Sequence, residues 1–291
     1  IPENKLENQY EQTGENLFTN ISRAVSNSFV KDKNINAACM LSGGIDSNLI
    51  YQIWKLKHNN NIQSYTLDTN DYRYDESKII KKVLKETNNS SHKFVKISQE
   101  NSSKWLYQIL HQNLDFLPSL TSIAFAHVAN QIAKDKNKII FTGVGGDEMF
   151  AGYHVHHIYF LAELDKIMNE RYEEELRLWR KNINPLIRNE ELKNPINFRK
   201  KYPYGIWLDN NQESKYFLNS QELKDYMISA EEFIPQDFGP NLLWSSLMND
   251  LFMTSIPAQN ISSDYISMFF SLENRAPILS QTILNQMKEI P

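Results

Sequence analysis

Two short stretches carry residue types and spacings suited to a phosphorylated ligand. The first is Ser42-Gly43-Gly44-Ile45-Asp46-Ser47, entered by the apolar run Ala37 to Leu41 and left by Asn48 to Trp54 at helical spacing. A strand, a glycine-rich turn and a helix bring backbone N–H groups and the positive end of a helix dipole to one point. Gly43 and Gly44 admit close backbone approach, and Ser42 and Ser47 add hydroxyl donors. Asp46 is the odd member, because a carboxylate beside phosphate is repulsive unless a divalent cation neutralises both. The second stretch, Thr142-Gly143-Val144-Gly145-Gly146-Asp147-Glu148, follows Lys138 to Phe141, which reads as another strand. It adds three glycines and two adjacent acids. Asp46 and Asp147, one from each stretch, can clamp a single divalent ion that bridges phosphates.

A plainer reading exists for each stretch alone. The first can be a Gly-Gly turn capped by Ser and Asp, and the second can simply place Asp147 and Glu148 at a helix start. Their joint placement favours the metal reading. Two loops that follow strands of one parallel sheet open on the edge where such sheets take ligands.

The elements that must position these loops are legible as alternating strands and helices. A helix from Glu15 precedes the first strand, with Leu17, Ile21, Ala24, Val25 and Phe29 at helical spacing. After the first loop come strands at Ile62 to Leu67 and His92 to Ile97, a helix over Glu76 to Thr87, and helices around Ser103–His111 and Ser122–Ala133. This alternation predicts a doubly wound parallel α/β sheet. Beyond Tyr153 the strand pattern fades. Tyr159 to Lys181 reads as one long helix, Asn182 to Tyr204 as irregular, and Glu222–Phe233 and Asn241–Ser255 as helical. The expected division is a linker or arm over 1–14, an α/β core over 15–160, and a mostly helical part over 161–291 packed on that core. Both ends read as cuts in a longer polypeptide.

Composition narrows the function classes. With 31 basic and 35 acidic residues the net charge is −4, so the basic field of a nucleic-acid binder is lacking. A single cysteine, Cys39, excludes a disulfide framework or a cysteine metal cluster and fits a cytoplasmic setting. It lies in the apolar strand and reads as a core residue rather than a nucleophile. No run reaches membrane-spanning length and no signal peptide is visible. His154, His156 and His157 follow the second loop, but without partners at ligand spacing they read as surface or packing residues.

The first loop is neither a Walker motif, since no Gly-Lys-Ser/Thr follows, nor a dinucleotide fingerprint, since the third glycine is missing. It resembles the SGGxDS loop of the ATP pyrophosphatases. Gly143 to Tyr153, GVGGDEMFAGY, resembles the GxGxDExFxGY element of the asparagine synthetase family. Asp264-Tyr265-Ile266-Ser267-Met268 and Ser271-Leu272-Glu273-Asn274-Arg275-Ala276-Pro277-Ile278-Leu279 are similar to that family's DRxSM and SLExRxPFLD stretches. The resemblance spans most of the chain, from Glu15 to Leu279.

That resemblance implies a synthetase domain that adenylates a carboxylate with ATP and magnesium (Mg2+), after which ammonia or an amine displaces AMP. By position, Ser42, Gly43, Gly44, Asp46 and Ser47 would hold pyrophosphate, and Met40, Leu67, Thr142 and Gly143 would approach adenosine. Asp46 and Asp147 would bind the metal, with Glu148 beside them as a third catalytic candidate. Glu273 and Arg275 are expected to form a structural ion pair. Aspartate is the default acceptor, and an amidotransferase arrangement with an upstream glutaminase domain or subunit would supply ammonia. A lysine on a segment beyond the PFLD-like stretch is expected past Pro291, because Lys288 lies too close to the motif.

Some positions depart from the family pattern. Val144 stands where many members have Glu, Tyr265 where they have Arg, and Ser280 where they have Asp; no arginine lies between Asp115 and Ile123. These changes weaken aspartate as substrate and leave the ATP half intact. The alternatives are a relative that closes β-lactams or macrocyclic peptides, and a nucleotide-binding module that has lost catalysis. A pyrophosphatase acting on tRNA fits the acidic balance least.

Overall fold

The computed structural model describes residues 3–29, 35–58, 62–69, 71–72, 75–89, 91–113, 121–167, 170–187, 190–196, 235–288 and 290. The chain forms two compact units, one of Ile1–Phe150 with Ile256–Pro291, the other of Ala151–Ser255.

The first unit is built on five strands: β1 (Ala37–Met40), β2 (Gln63–Asp68), β3 (His92–Lys96), β4 (Ile139–Phe141) and β5 (Glu273–Arg275). All pair in parallel, in the order β3-β2-β1-β4-β5. Parallel neighbours need crossover connections. These are supplied by α2 (Ile45–His58), α3 (Ser77–Glu86), and the pair α4 (Gln99–Asn113) and α5 (Thr121–Lys134). Side chains alternate across each strand. Ala38 and Ile140 pack with Trp105, Ile109, Ala126 and Ile132 on one face of the sheet. Phe141 takes the other, with its ring 4.8 Å from Trp54 of α2 and edge-on to it; Phe29, at the end of α1 (Glu3–Asn27), lies 4.3 Å from Trp54. Cys39 is fully buried and its thiol is pushed up to about 12 by that burial, so it is a core residue without nucleophilic character. This is the doubly wound α/β sheet that the alternating pattern predicts.

The topology decides where a ligand can sit. The chain adds β2 and β3 to one side of β1, then returns to place β4 on the other, with Cys39 opposite Phe141. The two glycine-rich loops therefore leave neighbouring strands at the point where strand order reverses, which is where open parallel sheets form a crevice.

Three features differ from the sequence reading. Glu3–Asn27 is one helix, so the expected arm is helical from Glu3 onwards. The fifth strand was not foreseen; it is short and polar and is held by Glu273 N–H to Lys138 O at 2.8 Å and Thr142 N–H to Arg275 O at 2.9 Å. The expected long helix over Tyr159–Lys181 is two, α7 (His154–Lys166) and α8 (Tyr172–Asn182); α6 (Gly146–Phe150) follows β4. In Asn182 to Tyr204 the described residues include two 3-10 turns, Asn184–Leu186 and Glu190–Lys193. Glu222–Phe233 lies outside the described residues.

The second unit contains α7, α8 and α9 (Leu242–Phe252), with a core of Ile158, Tyr159, Leu161, Leu176 and Trp179. The chain re-enters the first unit through α10 (Ser255–Phe269) and ends with α11 (Gln281–Met287). Ser280 caps α11, its hydroxyl accepting from Ile283 N–H at 3.4 Å. Asp and Ser are both strong N-caps, so serine at this position retains the capping function. Among the described residues no helix is long and apolar enough to cross a membrane.

Candidate active site

The first loop is braced by its own side chains. Ser42 N–H donates to Ser47 Oγ at 3.0 Å, the two hydroxyls lie 2.8 Å apart, and Gly44 N–H donates to Ser42 Oγ at 3.2 Å. Asn48, one residue beyond the motif, donates Nδ2–H bonds to Ser42 O and Gly44 O, both at 2.7 Å. Those two bonds fix the Ser42 and Gly44 carbonyls on the Asn48 amide. Asn48 was not identified from sequence, where it is one more polar residue in the first turn of a helix. The amide between those of Ser42 and Gly44, Gly43 N–H, meets a carboxylate from outside the loop, Glu76 Oε2 at 2.9 Å.

Met40 and Leu67 sit at the C-terminal ends of adjacent strands, partly buried against the sheet's core cluster. Thr142 is buried at the end of β4. Its N–H bonds Arg275 O, and its hydroxyl lies 3.3 Å from Asn274 Oδ1. Its side chain is thus committed to β5, while Gly143 beside it presents backbone only.

The second loop closes directly onto the first. A Cβ on Gly143 would stand 2.8 Å from Ser47 N, and a Cβ on Gly146 would clash with the Asp46 carboxylate. Asp46 therefore lies on the Gly146 backbone, immediately beside Asp147. Gly145 has φ +98, a conformation other residues rarely adopt, and the space its Cβ would need is filled by Leu279.

This packing sets the electrostatics. Asp46 is pushed up to about 6, first by burial and then by the charges of Asp147 and Glu148. Glu148 is itself buried and accepts a hydrogen bond from Gln259 Nε2 at 2.9 Å. Three carboxyl groups crowd one corner of the crevice, and a divalent cation would relieve their repulsion. Carboxylate oxygens are the hard donors magnesium prefers. Among the described residues no three His, Cys, Asp or Glu side chains are arranged to hold a metal by themselves. A partial set of carboxylates suits an ion that takes its other ligands from substrate phosphates and water. The residues present fit magnesium on those terms.

The other sequence candidates have partners of their own. His156, in the second unit, is buried; its Nδ1 accepts from Tyr153 N–H at 3.3 Å, which leaves Nε2–H to donate to Asp250 Oδ2 at 3.1 Å. It caps α7, while His154 is exposed. Glu273 and Arg275 form the expected ion pair, with the guanidinium contacting Glu273 Oε1 at 2.7 and 2.8 Å and reaching Ser28 O at the end of α1. Next to the second loop a cavity of about 470 Å³ is lined by residues of α10 and of the segment from Asn274 to Leu279.

A parallel α/β sheet with two glycine loops and paired carboxylates at its switch point is the arrangement that α/β domains use to take phosphorylated ligands. The family model described as asparagine synthase matches residues 19–291, and the chain belongs to that family. The family is one of ATP-dependent ligases that form carbon–nitrogen bonds. Among curated proteins none matches the chain significantly.

Proposed function

We propose that this chain is the synthetase part of an ATP-dependent amide ligase that adenylates a carboxylate and passes the acyl group to ammonia or an amine. The observation that carries this reading is the seat of Asp46 on Gly146 beside Asp147, with its carboxyl pushed up to about 6. Such a cluster of carboxyls is suited to a cation delivered with a triphosphate. Asp46 and Asp147 would hold the magnesium, which would neutralise charge on the phosphates. The first loop would take the β- and γ-phosphates, and backbone near Met40, Leu67 and Gly143 would border the nucleoside. The acceptor's carboxylate oxygen attacks the α-phosphorus, and pyrophosphate leaves. The nitrogen nucleophile then attacks the acyl carbon, AMP leaves, and the nitrogen loses a proton. A glutaminase domain or subunit would supply ammonia.

A different acceptor from aspartate is the second reading, and two observations favour it. Val144 cannot take part in proton transfer where many family members have glutamate. The described residues lining the cavity include one acid, Asp264, and no cation. A cation would be expected opposite the second carboxylate of aspartate. ATP–pyrophosphate exchange, run with a panel of carboxylates, tests both readings. Exchange with aspartate supports the first, exchange with neutral or amine-bearing carboxylates only supports the second, and none with any of them contradicts adenylation.

A further inference from the structure

Glu76 stands at the N-cap of α3 but caps nothing: its side chain makes no bond to its own helix. Asp75, beside it, accepts Ser77 N–H at 2.9 Å instead. The Glu76 side chain reaches back to the phosphate loop. Its Oε2 accepts Gly43 N–H at 2.9 Å, and its Cδ and Oε1 would both lie 3.2 Å from a Cβ on Gly43. The carboxylate thus covers the bare face of the glycine, where a phosphate oxygen would have to approach. The neighbouring amides, Ser42 N–H and Gly44 N–H, are satisfied within the loop, by Ser47 Oγ and Ser42 Oγ. Gly43 N–H, between them, is satisfied by an anionic oxygen from a different element. A carboxylate oxygen is the nearest side-chain equivalent of a phosphate oxygen in charge and acceptor geometry.

We propose that Glu76 is a built-in competitor for the phosphate position: its carboxylate fills the anion site of the nucleotide-free loop and must leave when the triphosphate enters. The inference rests on the nucleotide reading of the loop. Two consequences follow. The empty loop keeps its geometry, because its exposed amide is never left unpaired. Phosphate affinity is lower than the bare loop would give, because each binding event displaces one charge-assisted hydrogen bond. Glu76 is a positioning residue for the empty loop and sets affinity by competition.

The test is calorimetric titration of inorganic pyrophosphate and of magnesium–ATP against the wild-type chain, Glu76→Gln and Glu76→Ala. Glu86→Gln, an exposed acid on the same helix, controls for a general loss of negative charge. Both Glu76 variants should bind pyrophosphate more tightly, by about tenfold, while Glu86→Gln should match wild type. Glu76→Asp, one methylene short of Gly43, should behave like the alanine variant and serves if that variant fails to fold. Equal affinity in wild type and variants would overturn the proposal while leaving the nucleotide reading in place. Weaker binding in Glu76→Gln would show the residue to be a ligand or brace and would overturn it too. No pyrophosphate or ATP binding by any of the proteins would overturn both.

Discussion

The loop after β1 and the loop after β4 are both rich in glycine, and glycine does different work in each. At Gly43 the missing side chain leaves a backbone amide open to an anion, and its nearest neighbour is the end of a flexible carboxylate. At Gly145 and Gly146 the missing side chains are filled space, occupied by Leu279 and by Asp46. The first loop is shaped to be approached by a ligand. The second is shaped to be approached by the protein, and that approach brings Asp46 and Asp147 together. Substitutions should separate these roles: in the second loop they should damage the fold, in the first mainly the affinity.

The largest effect on stability is expected at Gly145. Gly145→Ala must hold a left-handed backbone, at roughly 1–2 kcal/mol, and displace Leu279, at roughly 1–3 kcal/mol. Gly146→Ala should cost about 1–3 kcal/mol and also drive Asp46 off its seat, so metal-dependent nucleotide binding should go with it. Urea unfolding of both variants checks the first claim, and ATP titration of Gly146→Ala checks the second. Stability close to wild type in both would break the contrast.

A smaller effect with a definite pH signature is expected from Asp46→Asn. A carboxyl pushed up to about 6 from 3.8 favours the folded state when protonated. Its contribution is present below about pH 4, declines as pH rises towards 6, and is absent above that. Removing the charge should therefore raise the melting temperature at pH 8 and leave it nearly unchanged at pH 4, while abolishing metal-dependent ATP binding. In the wild-type chain, protons should compete with the metal, so ATP affinity should fall as pH drops through about 6. A variant less stable than wild type at pH 8 would show that Asp46 braces the fold rather than burdening it.

The smallest effect on stability is expected at Gly43. The Cβ of Gly43→Ala would meet only the movable end of Glu76, so unfolding should change by less than about 1 kcal/mol. Phosphate affinity should fall, since the methyl group stands where the anion approaches. A large loss of stability there would show that the first loop is as tightly packed as the second.

Much of this site is readable from residue order. The strands β1 and β4 are apolar runs, β2 and β3 carry β-forming residues such as Tyr65, Thr66, Phe94 and Val95, and the two loops sit where a parallel sheet presents its ligand edge. Tertiary pairing decided what could not be read. β5 has the sequence Glu-Asn-Arg, without strand propensity, and exists because β4 offers a free edge and Glu273 with Ser28 O holds Arg275. The break between α7 and α8 has neither proline nor glycine near it, so helical periodicity runs through it unmarked. Glu76 and Asn48 are ordinary polar residues in sequence. They acquire a role only when the fold brings one across from α3 and turns the other under its own loop.

The central claim is that the two loops form one metal–nucleotide site through Asp46 and Asp147. It is tested most directly by titrating magnesium–ATP into the wild-type chain, Asp46→Asn, Asp147→Asn and the double variant. If both carboxylates hold one ion, each single substitution should remove most of the metal-dependent affinity, and the double variant should lose little more than either. Losses that add in the double variant, or ATP affinity unchanged in Asp46→Asn, would contradict the account.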